Sequence, residues 1–203
     1  MVDINAHDRF VLRQRIKLVI NQYEFSLPDE EGDGEPICFV EQARFKFKED
    51  IRFFTDDSKR EELMRILARQ RFDPRARYDI TLVDGSKLGE IQKVFGKSLL
   101  RSTYTIFDAA GEQVALAREK SLGKGLLRRF IALVPYVGDF ADWLPIAYDF
   151  EFLRGEERIG LNSRRRFKWR DVYDIDFTAD PGHTIDRRLV LAATVGMDAL
   201  QAR

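Results

Sequence analysis

Cysteine occurs once in these 203 residues, at Cys38, and histidine twice, at His7 and His183. One thiol excludes a disulfide framework, and three scattered groups cannot make a zinc site at any recognised spacing. Long apolar runs are missing too. The longest uncharged apolar stretches, 130–138 and 189–197, are about half the roughly 20 residues that a membrane-crossing helix needs, so no integral membrane span is expected. The opening MVDINAHDRF lacks the cationic then apolar run of a signal peptide, and a cytoplasmic protein is expected. No glycine-rich phosphate loop is present, and Ser163, His183 and Cys38 sit in no recognised nucleophile context. The expectation is a protein that is not an enzyme, with no cofactor and no metal. Net charge is absent as well, because 34 Lys and Arg balance 34 Asp and Glu. That balance argues against broad polyanion affinity and makes nucleic acid an unlikely partner. What the chain does have is 44% hydrophobic residues, enough for one sizeable core in a single domain over 1–203.

An aromatic-led unit recurs along that domain. Copies open at Tyr23 (YEFSL), Ile51 (IRFFT), Tyr78 (YDITL), Tyr104 (YTIFD) and Tyr148 (YDFEF), with a truncated copy at Tyr173 (YDIDF). The intervals are 28, 27, 26, 44 and 25 residues, so one supersecondary unit is reused and the 44 marks an insertion at about 122–147. Each unit reads as a β-hairpin. Tyr78, Ile80 and Leu82 alternate with Asp79 and Thr81, Asp84-Gly85 supplies a turn, and Leu88, Ile91 and Val94 return, with Gly89 marking a bulge. The second unit deviates: 58–70 passes as helix by propensity and is read as a strand with a short helical turn.

Five hairpins, the truncated copy and a front strand over 9–20 make about twelve antiparallel strands. Such a sheet leaves two exposed edges unless it closes, and a barrel that wide needs a filling. The last segment, 184–200, is nearly apolar all round from Leu189 to Met197, and a helix apolar on every face wants burial on every face. The fold class is therefore mainly β, a closed antiparallel barrel wrapped around its own C-terminal helix. By strand parity that helix enters from the end holding the hairpin turns, so Arg187 and Arg188 need acidic partners there.

Total charge cancels, but position separates it. Connections inside the hairpins (28–36, 55–62, 84–87, 108–113, 154–158) hold 14 acidic and 5 basic residues. Those between hairpins (44–50, 69–77, 93–101, 118–129, 164–171) hold 20 basic and 5 acidic. One rim of the barrel is then acidic and the other basic. Within the basic stretches, cations alternate with aromatics. Arg44, Lys46 and Lys48 stand opposite Phe45 and Phe47, and Arg164, Arg166, Lys168 and Arg170 opposite Phe167 and Trp169. They form either a solvated outer strand face or, with Lys97, Arg128 and Arg129, an anion site. The insertion starts as a basic amphipathic helix, stops at Pro135, and continues with aromatics. Phe130, Phe140 and Trp143 either plug the barrel mouth or contact a membrane interface.

The aromatic-x-aliphatic strands, D-G turns, the DIDF segment and the apolar helix near Asp186-Arg187-Arg188 resemble the LURP-one-related and phospholipid scramblase-like proteins. These group with the tubby C-terminal domain, and the likeness covers most of the chain outside 122–147. It implies a twelve-stranded barrel around a central helix, phosphoinositide headgroup binding as in tubby domains, and a calcium segment at Asp171, Asp174, Asp176 and Asp180. Alternation puts Asp174 and Asp176 on the outer face of a strand, where carboxylates point away in parallel, while calcium needs six to eight converging oxygens. The function expected from these features is peripheral binding of anionic phospholipid, at the inner membrane face. A protein-interaction scaffold is the alternative.

Overall fold

Apolar residues at every second position, facing one common core, build the strands. The structure, a computed structural model, describes residues 2–16, 20–29, 34–43, 50–68, 77–94, 102–120, 149–165 and 172–201. A 3-10 turn (Ile4–Ala6) precedes twelve strands: β1 (Arg9–Ile16), β2 (Ile20–Ser26), β3 (Pro36–Ala43), β4 (Asp50–Phe54), β5 (Glu62–Ala68) and β6 (Arg77–Leu82). They continue as β7 (Lys87–Lys93), β8 (Thr103–Asp108), β9 (Gln113–Glu119), β10 (Phe150–Arg154), β11 (Glu157–Arg164) and β12 (Val172–Asp176). Each pairs antiparallel with its sequence neighbours. β1 joins β12 through Phe10↔Ile175 and Leu12↔Tyr173, so the sheet is a closed barrel without edges.

Three of the five hairpins turn at glycines that the sequence offers. Gly85, Gly111 and Gly155 all have positive φ, at +82°, +88° and +57°, which a residue with a Cβ rarely adopts. The register of β6 and β7 slips after Ile80↔Gly89, which leaves Leu88, one residue before the expected Gly89, as the bulged position. Gly89 answers a different need: a Cβ there would lie 2.4 Å from the Phe107 carbonyl oxygen and 2.9 Å from Leu189 Cδ1.

α1 (Arg187–Gln201) fills the lumen. Residues 189–195 and Met197 are all buried, on every face of the helix, among Phe25, Phe53, Ile66, Ile80, Ile91, Ile106 and Phe152 of the strands. At Gly196 the wall comes so close that a Cβ would sit 2.9 Å from Ile91 Cδ1. Tyr78, Tyr104 and Tyr173 are each the second residue of their strands and Tyr23 the fourth of its own; all four are buried, and Tyr148 lies outside the described residues.

Three expectations need correction. The front strand ends at Ile16 rather than 20, and Ile20 opens β2. Among the described residues of the 58–70 segment there is no helix, and Glu62–Ala68 is strand. Met64 and Ile66 face the core with period two, and pairing with β4 and β6 overrides helix propensity. The final helix starts at Arg187, not 184, because Asp186 accepts the Arg188 backbone N–H at 2.9 Å and so caps it.

Candidate functional site

Up-and-down order sends every hairpin turn to one end of the barrel and joins consecutive hairpins at the other. The strand ends that flank the acidic connections are therefore together, and those that flank the basic ones are together opposite.

At the acidic end, α1 is anchored by Arg187, which has no solvent exposure. Its Nη2 donates to Asp8 Oδ1 at 2.6 Å and its Nη1 to Asp180 Oδ2 at 2.8 Å, with further bonds to the carbonyls of Asp180 and Ile185. The guanidinium lies 5.2 Å from the Phe177 ring centroid, and Asn5 Oδ1 accepts the Arg187 backbone N–H at 2.7 Å. Arg188 pairs with Asp186 at 2.6 Å. The cations at the helix start thus find acidic partners at this end. These come from Asp8, just before β1, and from the 177–186 segment rather than from the hairpin turns. Burial would raise the Asp180 carboxyl; the Arg187 guanidinium and the Thr184 donors outweigh it and hold it below the usual carboxylate range.

The calcium segment that the resemblance implied is committed to arginines. Asp174 pairs with Arg165 at 2.7 Å and Asp176 with Arg9 at 3.3 Å, both on the outer wall, while Asp180 belongs to the Arg187 anchor. Asp171 lies outside the described residues. Among the described residues no group of three or more His, Cys, Asp or Glu is placed to hold a metal. Cys38 is buried, and that burial pushes its thiol up to about 12, which leaves no nucleophilic thiolate at neutral pH.

The basic end is described at its strand termini. Arg118 crosses to Glu151 at 2.7 Å and Arg77 to Glu90 at 3.6 Å, so these cations and Arg165 lie along the outer wall beside acids of neighbouring strands. Arg164 differs. It shares its face of β11 with Gly160 and Asn162, whose positions face the lumen, and pairs in register with the buried Tyr173. The outer-face reading of Arg164 is therefore reversed. The other cations singled out, Arg44, Lys46, Lys48, Lys97, Arg128, Arg129, Arg166, Lys168 and Arg170, lie outside the described residues, as do Phe130, Phe140 and Trp143. The stretch holding the insertion leaves and returns at one place, since Lys120 donates its backbone N–H to the Asp149 carbonyl at 2.8 Å.

Polar residues that sequence reasoning passed over line the lumen at this same end. Asn21 donates to Gln42 Oε1 at 3.1 Å and Tyr23 to the same oxygen at 3.3 Å. Glu119 and Asn162 occupy inward positions on β9 and β11 and are buried. Their signal was available: each is a polar residue at an inward position of an otherwise apolar alternation.

No helix among the described residues is long and apolar enough to cross a membrane. Comparison with curated proteins finds no match. The sequence profile of the LURP-one-related family matches residues 37–198, which spans all but the first strands and the last few residues of the barrel and its helix. On that match and this architecture, the chain belongs to the LURP-one-related family.

Proposed function

We propose that the protein is a non-enzymatic, peripheral module that binds anionic phospholipid headgroups through the basic end of its barrel, at the cytoplasmic face of a membrane. The observation that carries this reading is the coincidence of topology with charge. The connections with 20 basic and 5 acidic residues all join strand ends at one end of a closed up-and-down barrel. The insertion, with its basic start and its Phe130, Phe140 and Trp143, departs from that same end. Each cation near an anionic leaflet contributes about 1 kcal/mol, so several together give useful, reversible binding. Absence of catalysis is part of the proposal, and the buried, unreactive Cys38 thiol supports it.

Co-sedimentation with liposomes containing phosphatidylserine or phosphoinositide tests the reading. Charge reversal at Arg128 and Arg129 is expected to weaken co-sedimentation while leaving the thermal transition nearly unchanged. Raising salt should weaken the charge-driven part and spare aromatic insertion. Wild-type protein that ignores such liposomes at low salt would leave a protein-binding scaffold as the reading.

A further inference from the structure

The barrel lumen changes character along its axis. Phe10, Phe25, Phe53, Phe152 and Phe177 pack around the helix, whereas inward positions toward the basic end turn polar at Gln14, Asn21, Gln42, Ser102, Glu119 and Asn162. Three of these are almost wholly buried, Glu119 at 1% exposure, Ser102 at 3% and Asn162 at 4%. Glu119 Oε2 accepts the Ser102 backbone N–H at 3.3 Å. Glu119 Oε1 and Asn162 Oδ1 have no hydrogen-bond partner among the described residues.

Register sets the two in one row. Glu119 pairs with Phe150, and Phe150 pairs with Asn162, so two strand spacings of about 4.8 Å separate their backbones. Phe150, itself buried, faces the lumen between them, so the two acceptors flank one aromatic ring. Arg164 lies two residues beyond Asn162 on the same face, roughly 7 Å nearer the basic mouth. Buried acceptors are costly unless a donor meets them, and native interiors seldom leave them bare. A carboxylate and an amide carbonyl on either side of an aromatic ring form a set for a primary ammonium, which brings three donors and a balancing charge to the acceptors and a cation to the ring. A guanidinium further out suits phosphate.

The geometry points to a site in the basic-end lumen for an aminoalkyl phosphodiester of the ethanolamine or serine type. Its ammonium meets Glu119 and Asn162, and its phosphate faces Arg164. The site deepens the headgroup reading and rests on it only for the lipid as source, because a free ester presents the same chemistry.

Calorimetric titration with soluble glycerophosphoethanolamine and glycerophosphocholine tests the site, because the second keeps the cationic charge while three methyl groups replace the N–H donors. Wild-type protein is expected to prefer the ethanolamine ester by about tenfold or more, as a site built for hydrogen bonding rejects an analogue that lacks the donors. Asn162→Leu, which removes the acceptor while keeping the branched four-atom side chain, and Glu119→Gln should each abolish most of that preference. Thermal unfolding reports on a merely structural role: a changed midpoint with the preference intact in both variants overturns the site. Equal affinity for the two esters, or binding of neither, overturns it whatever vesicles do. Binding of the soluble ester without binding of phosphatidylserine vesicles keeps the lumen site and overturns the membrane reading instead.

Discussion

Arg187 carries its full positive charge inside the barrel, and every donor it offers is directed at Asp8, Asp180 or a carbonyl. Removing one partner of such a pair strands the other, so Arg187→Ala is expected to destabilise the protein by about 3–5 kcal/mol, measured by urea unfolding. Asp180 gives the pH counterpart. Its folded-state carboxyl sits below its unfolded value, so the anchor is fully present above the unfolded carboxylate pKa of about 3.9 and is lost as pH falls through the folded value. Asp180→Asn should lower stability at pH 7 and flatten its fall in that acid window, read from unfolding midpoints at both ends. A third site tests packing alone: a Cβ at Gly160 would lie 2.5 Å from the Phe177 ring, so Gly160→Ala should cost about 1–3 kcal/mol. The sequence made the need for acidic partners at Arg187 legible, because cations at a helix start are unfavourable. It did not name Asp8, which stands 179 residues away and reaches Arg187 only once the barrel closes. Glu119 and Asn162 escaped notice for a related reason. A polar residue at an inward position looks like an irregularity in the strand pattern until neighbouring strands show which way it points.

Among the elements, β5 teaches most. Its residues favour helix locally, yet Met64 and Ile66 are buried while Leu67 between inward positions is 37% exposed. Period two governs here because β4 and β6 supply hydrogen bonds on both sides, and a helix could bury only one face. Truncation along this strand should therefore alternate: Ile66→Ala is expected to cost about 2–5 kcal/mol, while Leu67→Ala should cost far less, compared by thermal unfolding of the pair. Hairpins were the most legible elements, since Asp84-Gly85 and Gly155 fix turns through backbone conformation alone. Boundaries were less so. The stop of β1 at Ile16 and the start of α1 at Arg187 depend on pairing and capping, not on composition.

For the whole molecule, repeat period and the edge problem sufficed to reach twelve strands around one helix, because closure is the only arrangement that serves both. The candidate site was legible as a charge asymmetry between the two ends, while its lumen side emerged only from register. Closure also makes the helix indispensable. Phe25, Phe53 and Phe152 pack with α1 in one core, so a chain ending at residue 186 should show no cooperative thermal transition.

The β1–β12 seam has a consequence for how the chain is made. A ribosome releases β1 first and β12 last, and at about 5–20 residues per second the interval between them is roughly ten to thirty seconds. Throughout it, Phe10 and Leu12 have their β2 neighbours on one side and an open strand edge on the other. The plug that the whole interior is shaped around emerges later still. Nascent chains of this protein should accordingly be clients of folding helpers that shield strand edges, and a circularly permuted form that begins at β12 would cover the β1 edge early but pass the same wait to the β11–β12 seam.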